Sequence, residues 1–85
     1  MQISDEGTIC WYNKKGEFHR LDGPAIERAD GSKAYYINGK AHRLYGPAIE
    51  RADGSKEYWI DGKELTEEEF NNRKLLLYLY SWANL

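Results

Sequence analysis

Cysteine occurs once in this chain, at Cys10, so no disulfide can form within it, and a disulfide-stapled secreted scaffold is excluded. A lone free thiol fits a reducing compartment. No charge of one sign dominates. Fourteen acidic and twelve basic residues leave a formal net charge of -2, so the basic footprint that phosphate-backbone binding needs is missing. Long apolar runs are missing as well. The longest, Leu75 to Tyr80, falls far short of the ~20 residues that span a bilayer. The first residues, Met1-Gln2-Ile3-Ser4-Asp5-Glu6, lack the basic and apolar stretches of a signal peptide. These absences lead us to expect a soluble, cytoplasmic protein without a membrane role. At 85 residues it forms one domain, able to bury only ~60% of its unfolded surface.

What the chain does have is a duplication. Residues 19–41 read HRLDGPAIERADGSKAYYINGKA and residues 42–64 read HRLYGPAIERADGSKEYWIDGKE, with 18 of 23 positions identical. A fixed period of this size marks a repeat architecture in which each unit packs against its neighbours. A degenerate first copy precedes these two, since Glu6-Gly7-Thr8 and Trp11-Tyr12 lie 24 residues before Asp30-Gly31-Ser32 and Tyr35-Tyr36. From Gly16 onward the offset is 23, so one residue has been inserted within Asn13-Lys14-Lys15-Gly16, where a hairpin turn absorbs it most easily.

Asp30-Gly31, Asn38-Gly39, Asp53-Gly54 and Asp61-Gly62 are dipeptides that accept positive φ at the corner of a tight hairpin. Between them Ala25–Ala29, Ser32–Ile37, Ala48–Ala52 and Ser55–Ile60 have strand character. The expected fold is therefore mainly β, an antiparallel hairpin-repeat meander with one C-terminal α-helix. Alternation puts Tyr35, Ile37, Tyr58 and Ile60 on one face, with Ile26 and Ile49 expected to join them. Ala34, Tyr36, Glu57 and Trp59 point the other way. The terminal segment, 66–82, departs from the period. Thr66-Glu67-Glu68-Glu69 is a capping box that opens a helix over about Glu67 to Ser81. Its second half is apolar nearly all round, which asks for cover on two sides. Leu75, Leu76, Leu79, Tyr80 and Trp82 are accordingly the expected dimerisation residues, pairing two copies of the chain.

The segment from Tyr35 to His42, followed by Gly46 and Asp53-Gly54-Ser55, resembles a MORN repeat over residues 6–64. Trp59-Ile60-Asp61-Gly62-Lys63 repeats the turn, Leu65 stands where a histidine is expected, and the first unit carries Lys15-Gly16-Glu17 in place of Asn-Gly-Lys. The form with His-Arg-Leu-x-Gly-Pro-Ala is similar to a variant of small bacteriophage and bacterial proteins. The resemblance implies an elongated single-layer β-meander used for binding proteins or, in some members, membranes. Some bacterial relatives are antitoxins.

The period also weighs the chemistry-bearing residues. Equivalent positions in successive two-stranded units lie ~9.5 Å apart, too far for His19 and His42 to share a zinc ion that each ligates at ~2.1 Å. A structural hydrogen bond fixing the bend before Gly23 and Gly46 is the better use. Glu27, Glu50, Asp30 and Asp53 recur with Arg28 and Arg51, and cross-strand ion pairs with these arginines, Lys33 and Lys56 outweigh a carboxylate pair for hydrolysis. Cys10 has no histidine in its own unit, so packing is favoured over nucleophilic attack. No glycine-rich phosphate loop is present. No catalytic, metal or cofactor site is expected.

What escapes the period is where a specific task belongs. Trp11, Phe18, Asp22, Tyr36, Tyr45, Glu57 and Trp59 are the candidate partner-binding residues, because aromatic side chains dominate protein interfaces. The function expected is non-catalytic protein binding, concretely a small phage-type inhibitor of a host protein, of counter-defence or anti-CRISPR kind, in the host cytoplasm. One alternative is nucleotide or nucleic-acid sequestration using Tyr36, Trp59, Arg20 and Arg43, with bases stacked on the rings. Another is a structural assembly or antitoxin-like protein.

Overall fold

Tight turns at near-constant spacing leave room only for short strands, and the chain forms nine of them over the residues described, 1–73, in the computed structural model. The strands are β1 (Gln2–Ile3), β2 (Ile9–Cys10), β3 (Ile26–Glu27), β4 (Lys33–Ala34), β5 (Tyr36–Ile37), β6 (Lys40–Ala41), β7 (Ile49–Glu50), β8 (Lys56–Ile60) and β9 (Lys63–Leu65). A helix, α1, begins at residue 67. The strands form an antiparallel sheet in the order β1-β2-β3-β4-β7-β8-β9, while β5 and β6 make a separate hairpin. Mainly antiparallel β-structure with a C-terminal helix is the expected class. The positions Leu75, Leu76, Leu79, Tyr80 and Trp82, offered for dimerisation, lie outside the described residues.

The four similar dipeptides make two different turns. Asn38 and Gly39 have φ of 49° and 81°, and Asp61 and Gly62 have 53° and 84°. Both central residues are left-handed, which is the two-residue type I′ loop. At Asp30-Gly31 and Asp53-Gly54 only the glycine has positive φ. Arg28 N–H donates to Ser32 O at 2.9 Å and Gly31 N–H to Arg28 O at 3.0 Å, a three-residue loop ending in a glycine bulge. The aspartate serves differently there: its Oδ1 accepts the amide of Ser32 at 2.9 Å, or of Ser55 at 2.8 Å. The inserted residue of the first unit converts a two-residue tip into a three-residue one. Asn13 N–H donates to Glu17 O and Gly16 N–H to Asn13 O, and the bridge between Tyr12 and Phe18 is kept.

Two expectations are corrected. The run Ser32–Ile37 is not one strand, because it is shared between partners. Lys33–Ala34 pairs with β3 and β7, and Tyr36–Ile37 pairs with β6. The partner changes at Tyr35, whose N–H reaches Ala48 O at 2.7 Å while its C=O accepts from His42 N–H at 3.0 Å. Second, Ile26 and Ile49 do not join Tyr35 and Tyr58. Register sets Ile26 opposite Ala34, Ala34 opposite Ile49, and Ile49 opposite Glu57, so both isoleucines lie on the Tyr36 and Trp59 face. On the Tyr35 side, Ala25 and Ala48 are fully buried.

The plate measures 50 × 31 × 19 Å. Among the described residues only Ala25, Ala41, Ala48 and Phe70 are buried apolar side chains. Phe70 closes the last unit. Thr66 Oγ1 accepts the Glu69 amide at 3.1 Å and Glu69 Oε1 accepts the Thr66 amide at 2.9 Å, the reciprocal capping box expected. Thr66 O then accepts from Phe70 N–H, which aims the Phe70 ring at Tyr58 with centroids 4.7 Å apart. Truncation by Phe70→Ala should cost about 3–5 kcal/mol, and Thr66→Ala about 1 kcal/mol. Urea denaturation of the two variants checks this order; equal costs would contradict it.

Candidate functional site

The conserved part of each repeat is consumed within the fold. In the His-Arg-Leu-x-Gly-Pro-Ala segment, His19 Nδ1 accepts the amide of Asn38 at 3.0 Å, and His42 Nδ1 accepts that of Asp61 at 2.9 Å. Each histidine thus fastens the start of its own copy to the hairpin tip of that copy, rather than to the bend before Gly23 or Gly46. Accepting at Nδ1 requires the ring proton on Nε2. The arginine beside it sits over an aromatic ring of the preceding unit. Arg20 Cζ is 4.2 Å from the Trp11 centroid and Arg43 Cζ is 3.9 Å from that of Tyr35. Arg20 Nη1 donates to Pro24 O at 3.2 Å and Arg43 Nη1 to Pro47 O at 3.1 Å. A Cβ on Gly46 would lie 3.0 Å from Arg43 Nη1, so a side chain there would press on the guanidinium and ask it to shift by a few tenths of an ångström.

This arrangement divides the candidate residues between two faces. Trp11 lies beneath Arg20 on the packed face, and its indole N–H is buried with no partner among the described residues. Asp22 and Tyr45 occupy the bend on that side. Asp22 accepts from Arg20 Nε at 3.0 Å with its own side chain 85% exposed, and Tyr45 is 79% exposed beside Leu21 and Leu44. Phe18, Tyr36, Glu57 and Trp59 belong to the other face. Phe18 stacks on Tyr12 at 5.2 Å and meets Tyr36 at 5.6 Å, giving a continuous aromatic row across two units. Trp59 donates its indole N–H to Glu57 Oε1 at 2.8 Å, and Glu57 also pairs with Arg51.

This face is open. Tyr36 and Ile49 separate two shallow hollows, of about 460 and 390 Å³. Ile26 and Ala34 floor the first, with Arg28 and Arg51 at its border. The second runs past Ala41 to Trp59. None of Ile26, Arg28, Ala34 and Ile49 stands out by residue type. The signal that marks them is the exchange of Ala34 for Glu57 at equivalent repeat positions.

The expected ion pairs take other partners. Arg51 reaches Glu57, and Glu50 accepts from Arg43 at 3.5 Å, because residues two apart on one strand share a face. Cys10 is half-buried. No group of three or more metal-ligating side chains occurs among the described residues, and none of their helices is long and apolar enough to cross a membrane.

No protein-family model, no curated protein and no solved structure matches this chain.

Several carboxylates hold the turns and the face together in their ionised form. The Trp59 indole N–H, with the Arg51 guanidinium second, holds the Glu57 carboxyl below its ordinary value. The amides of Ser32 and Ser55 lower Asp30 and Asp53, and that of Thr66 lowers Glu69. A carboxyl depressed in the folded state stabilises it above the unfolded pKa, and that contribution is lost as pH falls through the folded value. The Tm should therefore stay level from pH 7 to about 5 and fall below about pH 4. Thermal melts followed by circular dichroism check this; a Tm that rises on acidification contradicts it.

Proposed function

We propose that this chain is a non-catalytic protein-binding module of MORN-repeat type, acting in the cytoplasm of a host cell as a small phage-type inhibitor that covers a functional surface of a host protein. The observation that carries the reading is the open face with Tyr12, Phe18 and Tyr36 in a row and Trp59 beyond them. Large rings on a rigid sheet offer contact area at small entropic cost, and rings of this kind form the energetic centres of protein interfaces. The hollows beside them are shallow and open, as a surface made for another macromolecule would be.

The nucleic-acid alternative is less favoured, for Arg20 and Arg43 are engaged with rings and proline carbonyls inside the fold. The same proposal includes self-association through Leu75, Leu76, Leu79, Tyr80 and Trp82, on the strength of their apolar run.

The test is capture from bacterial cytoplasmic extract by the intact chain and by a Tyr36→Ala/Trp59→Ala double variant whose Tm is measured alongside. Loss of two interface anchors should reduce recovery of a specific partner at least tenfold. Equal recovery of the same partner by a folded double variant would overturn the reading.

A further inference from the structure

The third unit shows what the second lacks. In the third, Ile49 faces Glu57 across the β7–β8 pair, and the Glu57 carboxylate bridges the Arg51 guanidinium and the Trp59 indole N–H. The second unit repeats the backbone register, with Ile26 facing Ala34 across β3–β4, Arg28 in the place of Arg51 and Tyr36 in the place of Trp59. Ala34 has no carboxylate to offer. Among the described residues Arg28 accordingly makes no ion pair, while Arg20, Arg43 and Arg51 each make one. The missing side chain leaves the hollow of about 460 Å³ floored by Ile26, Ala34 and Ile49 and flanked by Tyr36 and Arg28.

The other charges at this hollow are committed elsewhere. Asp30 and Asp53 accept the amides of Ser32 and Ser55, Glu50 is held by Arg43, and Arg51 is neutralised by Glu57. Lys33 stands in register between Glu27 and Glu50. Arg28 is thus a cation of the lining with no ion-pair partner among the described residues, Asp30 acting on it only at longer range.

We propose that this hollow is the docking site for an acidic side chain, aspartate or glutamate, presented by a protein partner. Its carboxylate takes against Arg28 the place that Glu57 takes against Arg51, and its stem lies on Ile26, Ala34 and Ile49 beside Tyr36. This rests on the reading of the face as a protein-binding surface and names the chemistry of the partner. A protein is the source because a part-exposed ion pair gains only several-fold in affinity. That is too little to retain a free carboxylate from dilute solution in so open a hollow, but enough to orient a partner already held by the aromatic row.

The probe is N-acetylglutamate amide, titrated to tens of millimolar against the ¹⁵N-labelled chain, with N-acetylglutamine amide as the uncharged control. The glutamate probe should shift the amides of Arg28, Ala34, Tyr36 and Ile49, and the control should leave them in place. Ala34→Glu, which copies the residue of the third unit into the same register, should abolish the response and reduce partner capture several-fold. Glu57→Ala should create a second response at Arg51 and Trp59. Equal shifts with both probes, or an unchanged response in Ala34→Glu, would overturn the inference. So would site-specific binding of the probe with partner capture unaffected by Ala34→Glu, which would assign the hollow to a free carboxylate. If the glutamate probe fails while the Tyr36/Trp59 double variant still loses its partner, the acidic anchor falls and the protein-binding reading stands.

Discussion

A guanidinium lying on an aromatic ring is the contact on which this plate depends. Four buried apolar side chains among the described residues make a core too small to hold a sheet by area alone. The arginines supply the second layer. Arg20 on Trp11 and Arg43 on Tyr35 cover rings that would otherwise face water, and their hydrogen bonds to Pro24 O and Pro47 O fix the bend that returns the chain to the sheet. A planar, weakly hydrated cation suits this position better than lysine would. Glycine at 23 and 46 fits this contact closely, since a Cβ there would press on the guanidinium.

The same contact explains how the array ends. A third copy of the segment would place an arginine at 66, over Tyr58. The chain instead has Thr66, which caps the helix, and Phe70 one turn on lies against the Tyr58 ring. Leu65, in the histidine's place, precedes the cap where an apolar residue can pack against the first turn. One aromatic contact thus replaces the cation without changing the layer it builds. Histidine ties each copy to itself: His19 and His42 each hold the hairpin tip near the end of their own copy.

Much of this was legible in the residues. The duplication and the Asn-Gly and Asp-Gly pairs marked the meander, and Thr66 with Glu69 marked the helix start, because these signals are local. The misplaced elements were those decided by partners distant in sequence. Tyr35 splits its strand because its two backbone groups bond to Ala48 and His42, and nothing at Tyr35 itself records that. Ile26 and Ile49 lie on the face opposite to the one expected, because register between strands cannot be counted from one strand alone. For the candidate site, Tyr36, Phe18, Glu57 and Trp59 were recognised as large or aperiodic. Arg28 reads in the sequence only as an ion-pair partner and Ala34 does not stand out, because an alanine is informative only beside the glutamate of the next copy.

A repeat spends identical residues on its own cohesion, and the exchanges between copies shape what it shows to others. Ala34 for Glu57 opens a hollow, and Tyr36 for Trp59 changes the ring beside it. These differences matter only if the arginine and histidine contacts hold each unit in the same register. The direct measurement is a double-mutant cycle between Arg43 and Tyr35, using Arg43→Met, Tyr35→Leu and the pair, with stability read from urea unfolding. Coupling of about 0.5–2 kcal/mol in favour of the native pair is expected. Single losses that add to within about 0.3 kcal/mol would show that the two side chains do not hold the layer together.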